Sequence, residues 1–357
     1  IANASNIKTS QNYTDANQNL QEAYNRQVDN ANGIINPIAS PTMDPDAITQ
    51  AATQVTTAEK ALNGTENLRQ AQQDALTHLD HLSHLTDAQK ADITQQINQA
   101  THVSDVTEAQ NSANDLNTAM DQLNQAIANQ VVMKQSVNYT DADTNLKEDY
   151  SNAVQQAQQI LDKAHGPNTS QTNVVAAMKK VQAAEQALNG NQNVEHAKTQ
   201  ALADLEHLTS LNNAQKEALT QQINDARTVA DVNQQSDKAT ELNTAMSQLQ
   251  DGIANKQQTL DSQNYIDAEP SKQQAYNQAI STAEQLLDKD HGQNLDKDAV
   301  AQALAQVTST KDALDGTQIL EQAKTNATNA VNDLPNLTNL QKDELKRQIQ
   351  QAQNVAN

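Results

Sequence analysis

The sequence predicts an all-α fold: an elongated tandem array of three-helix bundles joined by shared long helices, with a 126-residue repeat. Three observations predict it. Leu116–Gln130 (LNTAMDQLNQAIANQ) returns 126 positions later as Leu242–Lys256 (LNTAMSQLQDGIANK). Phe, Trp and Cys are absent and only six Tyr represent the aromatics, while Ala, Gln, Asn, Leu and Asp abound, a composition of helix formers rather than strand formers. Apolar residues recur three and four apart instead of alternating.

Three anchors set the repeat. Asn12-Tyr13-Thr14-Asp15-Ala16 returns as Asn138-Tyr139-Thr140-Asp141-Ala142 and Asn264-Tyr265-Ile266-Asp267-Ala268. Ala61-Leu62-Asn63-Gly64 returns at 187–190 and, as Ala313-Leu314-Asp315-Gly316, at 313–316. Leu85-Thr86-Asp87-Ala88-Gln89-Lys90 returns at 211–216 and 337–342. The boundaries expected from these anchors are 1–64, 65–116, 117–190, 191–242, 243–316 and 317–357. The chain opens on Ile1-Ala2-Asn3, the closing words of the repeated phrase, and its third copy stops short of a final helix. A piece of a longer array is expected.

Each copy reads as five helices. The first follows an N-cap at Asn17, Asp143 or Glu269, with Pro270 at the favoured first position of copy three, and carries the stripe Leu20, Tyr24, Val28, Ala31 and Ile35. The second starts at Asp44-Pro45, buries Ile48, Ala52, Val55, Ala58 and Leu62, and ends on Gly64 as its C′ residue. The third carries Leu68, Ala71, Ala75, Leu79 and Leu82. The fourth opens at Thr86 with the capping-box spacing to Gln89, and turns Ile93 and Ile97 inward.

The fifth helix begins at Ser104. Its seam runs Val106, Ala109, Ala113, Leu116, Met120, Leu123, Ile127 and Val131. No Gly or Pro interrupts it, so it is predicted to reach Lys134, roughly 45 Å at 1.5 Å per residue. That is too long for one small bundle. It is therefore expected to close one bundle with the third and fourth helices and a second with the first two helices of the next copy. In copy two Gly252 stands within it where copy one has Ala126, and is expected to be tolerated at a cost of about 1 kcal/mol.

Composition also bounds function. The formal net charge of −21 disfavours nucleic acid and anionic membrane as partners. Without Cys there is neither a disulfide nor a thiolate metal site. No apolar run is long enough to span a bilayer, and no signal peptide is evident. Low hydrophobicity with high charge would suit disorder, but the periodicity decides for packed helices.

Candidate chemistry is sparse. His78, His81 and His84 fan across a helix that presents two metal ligands well but rarely three. They read as solvated or junction histidines. Asp288-Lys289-Asp290-His291-Gly292 departs from the EF-hand pattern, and the corresponding loops Asn36–Asp46 and Asp162–Thr172 do not preserve it, so it reads as a helix connection. Tyr24, Tyr150 and Tyr276 read as core. Tyr13, Tyr139 and Tyr265, each with an acid two residues on (Asp15, Asp141, Asp267), pack at a bundle junction or face a partner. These six are the candidate partner-binding residues. No nucleophile–base pair, phosphate loop or recurrent acid pair is present, so no enzyme activity, metal or cofactor is expected.

The Asn-Tyr-Thr-Asp-Ala and Ala-Leu-Asn-Gly segments resemble the FIVAR module. Ala100-Thr101-His102-Val103-Ser104-Asp105-Val106 and Ala226–Val232 resemble the GA module. Their alternation over the whole chain is similar to the giant staphylococcal extracellular matrix-binding proteins. The resemblance implies a monomeric surface- or wall-associated bacterial rod, acting in attachment and biofilm, that binds fibronectin or another host matrix protein weakly per module and multivalently. A passive spacer in the envelope is the alternative. Albumin binding is disfavoured, because Asp87–Ile97 lacks the aromatic residues that albumin-binding GA modules carry.

Overall fold

The computed structural model describes residues 1–36, 38 and 41–356, and divides into two compact units, Ile1–Asn189 and Gly190–Asn357. Among the described residues every regular element is a helix. Among the described residues no helix is long and apolar enough to cross a membrane.

In the first unit, α1 (Ala4–Lys8), α2 (Gln11–Thr14), α3 (Gln18–Ile35) and α4 (Pro45–Lys60) form a bundle around Tyr24, Val28, Ala31, Ala51, Val55 and Leu62. Next come α5 (Gly64–His81), α6 (Asp87–Gln99) and the long α7 (Val103–Ile127). They are followed by α8 (Gln130–Gln135), α9 (Val137–Thr140), α10 (Thr144–Leu161) and α11 (Gln171–Ala187). Helix α7 packs against α5 and α6 through its first half and against α10 and α11 through its second. One hydrophobic cluster consequently runs unbroken from Ala75 to Leu188, with Met120 and Leu123 fully buried at its centre. Sharing of the long helix, expected from its length, is what the structure shows.

The second unit repeats this plan. Its elements are α12 (Gly190–Glu206), α13 (Asn213–Asp225), α14 (Val229–Ile253), α15 (Lys256–Leu260), α16 (Gln263–Ile266), α17 (Pro270–Leu287), α18 (Lys297–Asp312), α19 (Gly316–Asn332) and α20 (Asn339–Gln351). Helix α14 occupies the place of α7, packing on α12 and α13 and then on α17 and α18. Met246 and Leu249 are as buried as Met120 and Leu123.

Three expectations are corrected. The long helix stops at Ile127, not Lys134: Ala128 N–H turns back to the Gln125 carbonyl, and Asn129 leaves helical geometry at ψ 6°. Past that turn the next residue of the seam, Val131, is 64% exposed. At 25 residues α7 is about 37 Å long.

Gly64 does not end α4, which finishes at Lys60. It opens α5, and a Cβ there would sit 2.5 Å from the Asn12 carbonyl oxygen. Close backbone approach, not a left-handed cap, is its role.

Ile35, Ile48 and Ala52 lie outside the core. Helix α4 packs chiefly on α3, whereas Val174 and Val300, at the position of Ile48, are buried by α7 and α14.

Helix α14 tolerates Gly252, as expected, one residue from its end. The glycine's missing side chain admits Leu304, whose Cδ1 is 2.4 Å from where a Cβ would stand.

Leu116→Pro breaks α7 at the point where the two halves of the core meet. Loss of about 3 kcal/mol or more is expected, with faster amide exchange in α5 and α6 and in α10 and α11 together. Loss confined to one pair would mean that the bundles do not depend on a common helix.

Candidate functional site

The six candidate residues sit where α2, α9 and α16 turn into the next helix. Tyr13 stacks edge-on against the buried Tyr24 at 5.9 Å, Tyr139 against Tyr150 at 5.9 Å, and Tyr265 against Tyr276 at 6.1 Å. The rings of Tyr13, Tyr139 and Tyr265 stay half-exposed. Their hydroxyls bond two turns along the following helix: Asn25 Nδ2 donates to Tyr13 (2.7 Å), Ser151 Oγ lies 2.8 Å from Tyr139, and Asn277 Nδ2 donates to Tyr265 (2.7 Å). Tyr24 and Tyr150 are core, as expected, and burial pushes both phenols above their ordinary range.

The acids two residues on face the other way. Asp15 Oδ2 accepts the backbone N–H of Val103, the first residue of α7, at 3.0 Å; its Oδ1 lies 3.4 Å from His102 Nδ1. Asp267 Oδ2 accepts Val355 N–H at 3.0 Å, the same contact at the same register. Gln11 and Gln263 brace these carboxylates at 2.9 Å and also reach the carbonyls of Gly64 and Gly316. Asn12 and Asn264 accept Thr65 and Thr317 N–H at 2.9 and 3.0 Å. The acid of the motif thus caps a helix 88 residues away, satisfying a terminal donor that would otherwise lack a helical partner.

A second polar joint alternates with this one. The capping boxes Thr86/Gln89 and Asn212/Gln215 are buried, and their outer faces hold the next bundle's loop. Gln89 Nε2 donates to Thr169 O at 2.9 Å and Gln215 Nε2 to Leu295 O at 3.1 Å. Lys163 donates to the carbonyls of Ser83 and Leu85, and Lys289 to those of Thr209 and Leu211. Burial, helped by Lys90 or Lys216 nearby, pushes both ammonium groups below their ordinary range. The loop read as a departure from a calcium site is part of this joint. Asp288 Oδ1 accepts Asp290 and His291 N–H, and Asp162 does the same with Ala164 and His165, which holds both carboxyls below the usual carboxylate range. The residues of the corresponding Asn36–Asp46 loop lie partly outside those described.

His78 Nε2 bonds Asn114 Oδ1 (2.7 Å), His84 faces Asp121 (3.7 Å), and His81 points to solvent. Among the described residues no three His, Cys, Asp or Glu converge as metal ligands. A shallow groove recurs beside the second joint. Ile93 and Leu116 floor one of about 360 Å³, and Leu219 and Leu242 one of about 580 Å³ that the Lys297–Glu241 pair (2.6 Å) crosses.

Comparison with known proteins gives this architecture a family. FIVAR domain models match residues 1–63, 119–189 and 245–315, and GA module models match 65–119, 191–245 and 317–357. The chain belongs to the FIVAR domain family. Its FIVAR units alternate with GA modules, so the first joint runs from a FIVAR unit to the GA module after it, and the second from a GA module to the next FIVAR unit.

The chain is 54% identical over 356 residues to extracellular matrix-binding protein EbhB of Staphylococcus aureus (strain Newman), and 47% identical over 357 to EbhA of the same strain. All of it aligns, but it spans only 5% and 10% of those relatives' lengths. The crystal structure of the 756–1003 domain of S. aureus EbhA superposes with a TM-score of 0.63 at 44% identity, covering 66% of this chain and 94% of that one. Sequence reasoning missed the part played by Gln11, Asn12 and Lys163; the recurrence of Asn12 as Asn138 and Asn264, and of Lys163 as Lys289, was the available signal.

Asp15→Ala removes the cap from α7 at the FIVAR–GA joint. A loss of about 1 kcal/mol is expected, with amide exchange accelerated in the first turn of α7 and unchanged at the Met120 core. Unaltered exchange at Val103–Val106 would refute the capping role.

Proposed function

We propose that this chain is a repeat segment of a bacterial surface adhesin that binds host extracellular matrix, fibronectin above all, and serves as a rod-like scaffold in attachment and biofilm. The observation that carries the reading is recurrence. A half-exposed tyrosine ring held edge-on to a buried one occurs at equal spacing in every FIVAR unit, and the acid two residues on accepts the Val103 N–H in the first unit and the Val355 N–H in the third. Tyrosine offers contact area at low entropic cost, and identical weak sites at fixed intervals add by avidity. Tyr13, Tyr139 and Tyr265 make the contact in this reading, and Asp15 and Asp267 fix the segments that present the first and third. Relatives named as extracellular matrix-binding proteins support the partner class. The acidic surface calls for a basic patch on that partner.

The test is binding of the monomeric chain to immobilised fibronectin over a salt series, with Tyr13, Tyr139 and Tyr265 changed to Ala singly, in pairs and together. Affinity should fall with salt and fall more steeply with each tyrosine removed, while helicity is retained. No binding at low salt would favour the second reading, a passive envelope spacer. That reading draws on the acids' engagement in the joints.

Both readings require reach. A compact chain of this length would have a radius of gyration of about 20 Å. Small-angle scattering should give roughly twice that, with a maximum dimension beyond about 130 Å for bundles stacked along helices of 1.5 Å rise per residue. A value near the compact one would end the rod proposal.

A further inference from the structure

In two of the three copies the paired helices of a FIVAR unit lie under the long helix of a GA module. Val174 and Val300 are 0% exposed beneath α7 and α14, whereas Ile48, at their position, is 42% exposed. Four residues on, Met178 and Leu304 pack against the shared cores, and Ala52 lies open. The result is a groove of about 450 Å³ along α4, lined by Ile48, Ala52 and a row of threonines. Those threonines bond within their own helix. Thr49 Oγ1 donates to Pro45 O at 2.7 Å, Thr53 Oγ1 to Thr49 O at 2.8 Å and Thr56 Oγ1 to Ala52 O at 3.0 Å. With the hydroxyls turned back to the preceding carbonyls, methyl groups are what these side chains leave for a partner.

Where a long helix does cover this face, its end is matched to it in size. Gly252, one residue from the end of α14, leaves room for Leu304, whose Cδ1 a Cβ at 252 would strike. The corresponding residues one repeat earlier are Ala126 on α7 and Met178, an unbranched side chain, on α11. By repeat register a small residue on the long helix stands opposite a large one on the FIVAR helix, as close packing at a fixed helix separation requires. Ala52 changes the second member of that pair. A helix ending in glycine or alanine would leave a void over Ala52, and one with a larger aliphatic residue there would fill it.

We propose that the α3–α4 face of the first FIVAR unit receives the closing turns of a GA module's long helix, and that residue 52 selects that helix by the size of the residue near its end. The occupant is an amphipathic helix with the seam that α7 turns to α10 and α11, namely Met120, Leu123 and Ile127. It carries a leucine-sized residue where α7 has Ala126. Continuity with an interface present twice in this chain carries the assignment, α7 on α10 and α11 and α14 on α17 and α18. Positions 52, 178 and 304 thereby act as selectivity residues, each deciding which long helix its FIVAR unit accepts. The pairing is of repeat with repeat and stands apart from any matrix partner.

The probe is a synthetic peptide of residues 113–130, made with alanine, leucine or glycine at position 126, added to the full chain and read by hydrogen exchange. The chain is used as the parent, as Ile48→Asp and as Ala52→Leu; both positions are exposed, so both variants should keep the parental helicity. The leucine peptide should slow exchange in α3 and α4 and leave α10, α11, α17 and α18 as they were. Its affinity should exceed that of the alanine peptide about tenfold, with the glycine peptide weakest. Ile48→Asp should abolish the protection. Ala52→Leu should reverse the order, so that the glycine peptide binds best, and the double-mutant cycle reads that coupling directly. An unchanged order on Ala52→Leu would mean that peptide hydrophobicity sets affinity, and overturns the selectivity. Absence of protection in α3 and α4 with all three peptides, or its survival in Ile48→Asp, overturns the docking site. A parent chain that sediments as a dimer, made monomeric by Ile48→Asp, assigns the face to a second copy and overturns the helix as its occupant.

Discussion

The structure depends on one apolar seam having to satisfy two bundles at once. Helix α7 is built with Val106, Ala109 and Ala113 toward α5 and α6, and Met120, Leu123 and Ile127 toward α10 and α11. Neither pair of flanking helices makes a closed core without it. The flexible Met at the crossover suits a position that touches both sets of neighbours, because an unbranched thioether fills irregular space. With aromatics confined to six tyrosines, the alanines of the seam let the backbones approach closely enough to exclude water.

What the seam cannot do is fix the angle at which one bundle meets the next, and polar groups do that. Both joints use the donors and acceptors that helix ends leave over. At one, Asp15 crosses from a FIVAR unit to cap a GA helix. At the other, Lys163 and the outer face of the Thr86/Gln89 box grip the backbone of a FIVAR loop. Such bonds are directional, and their loss strands a buried group, so each contributes more to geometry than to net stability. The motif residues that look most like a ligand patch in the sequence are therefore divided: the acids hold the joint and the tyrosine rings keep an outward edge.

Much of this was legible before any coordinates. The 126-residue period, the two kinds of bundle, the sharing of the long helix and the Thr86 capping box all follow from spacing. The misreadings share a cause, since periodicity reports which face of a helix is apolar but not where its neighbour ends. Val131 continues the pattern past the turn at Asn129 where α7 has ended, and Ile48 belongs to a stripe that is covered in copies two and three but exposed in copy one. Gly64 was read from local chain logic as a helix stop, when the constraint comes from Asn12, far away in sequence. The candidate patch was legible as a recurrence. Its division of labour was not, because Asp15 and Val103 are joined only by the fold.

Gly252 and Leu304 show what such long-range pairing means for descent. Related copies in one chain are open to unequal exchange, in which a segment of one repeat replaces its counterpart in another. A crossover between positions 252 and 304 would set Ala126 against the bulk of Leu304, or Gly252 against Met178, and one between 272 and 315 would part Asp315 from Lys272, whose Nζ lies 2.6 Å from its Oδ2. The heritable block in this array is thus not the single module but the stretch from the end of a long helix through the FIVAR unit that follows it, and repeats that recombine at other points must repair a mismatched partner.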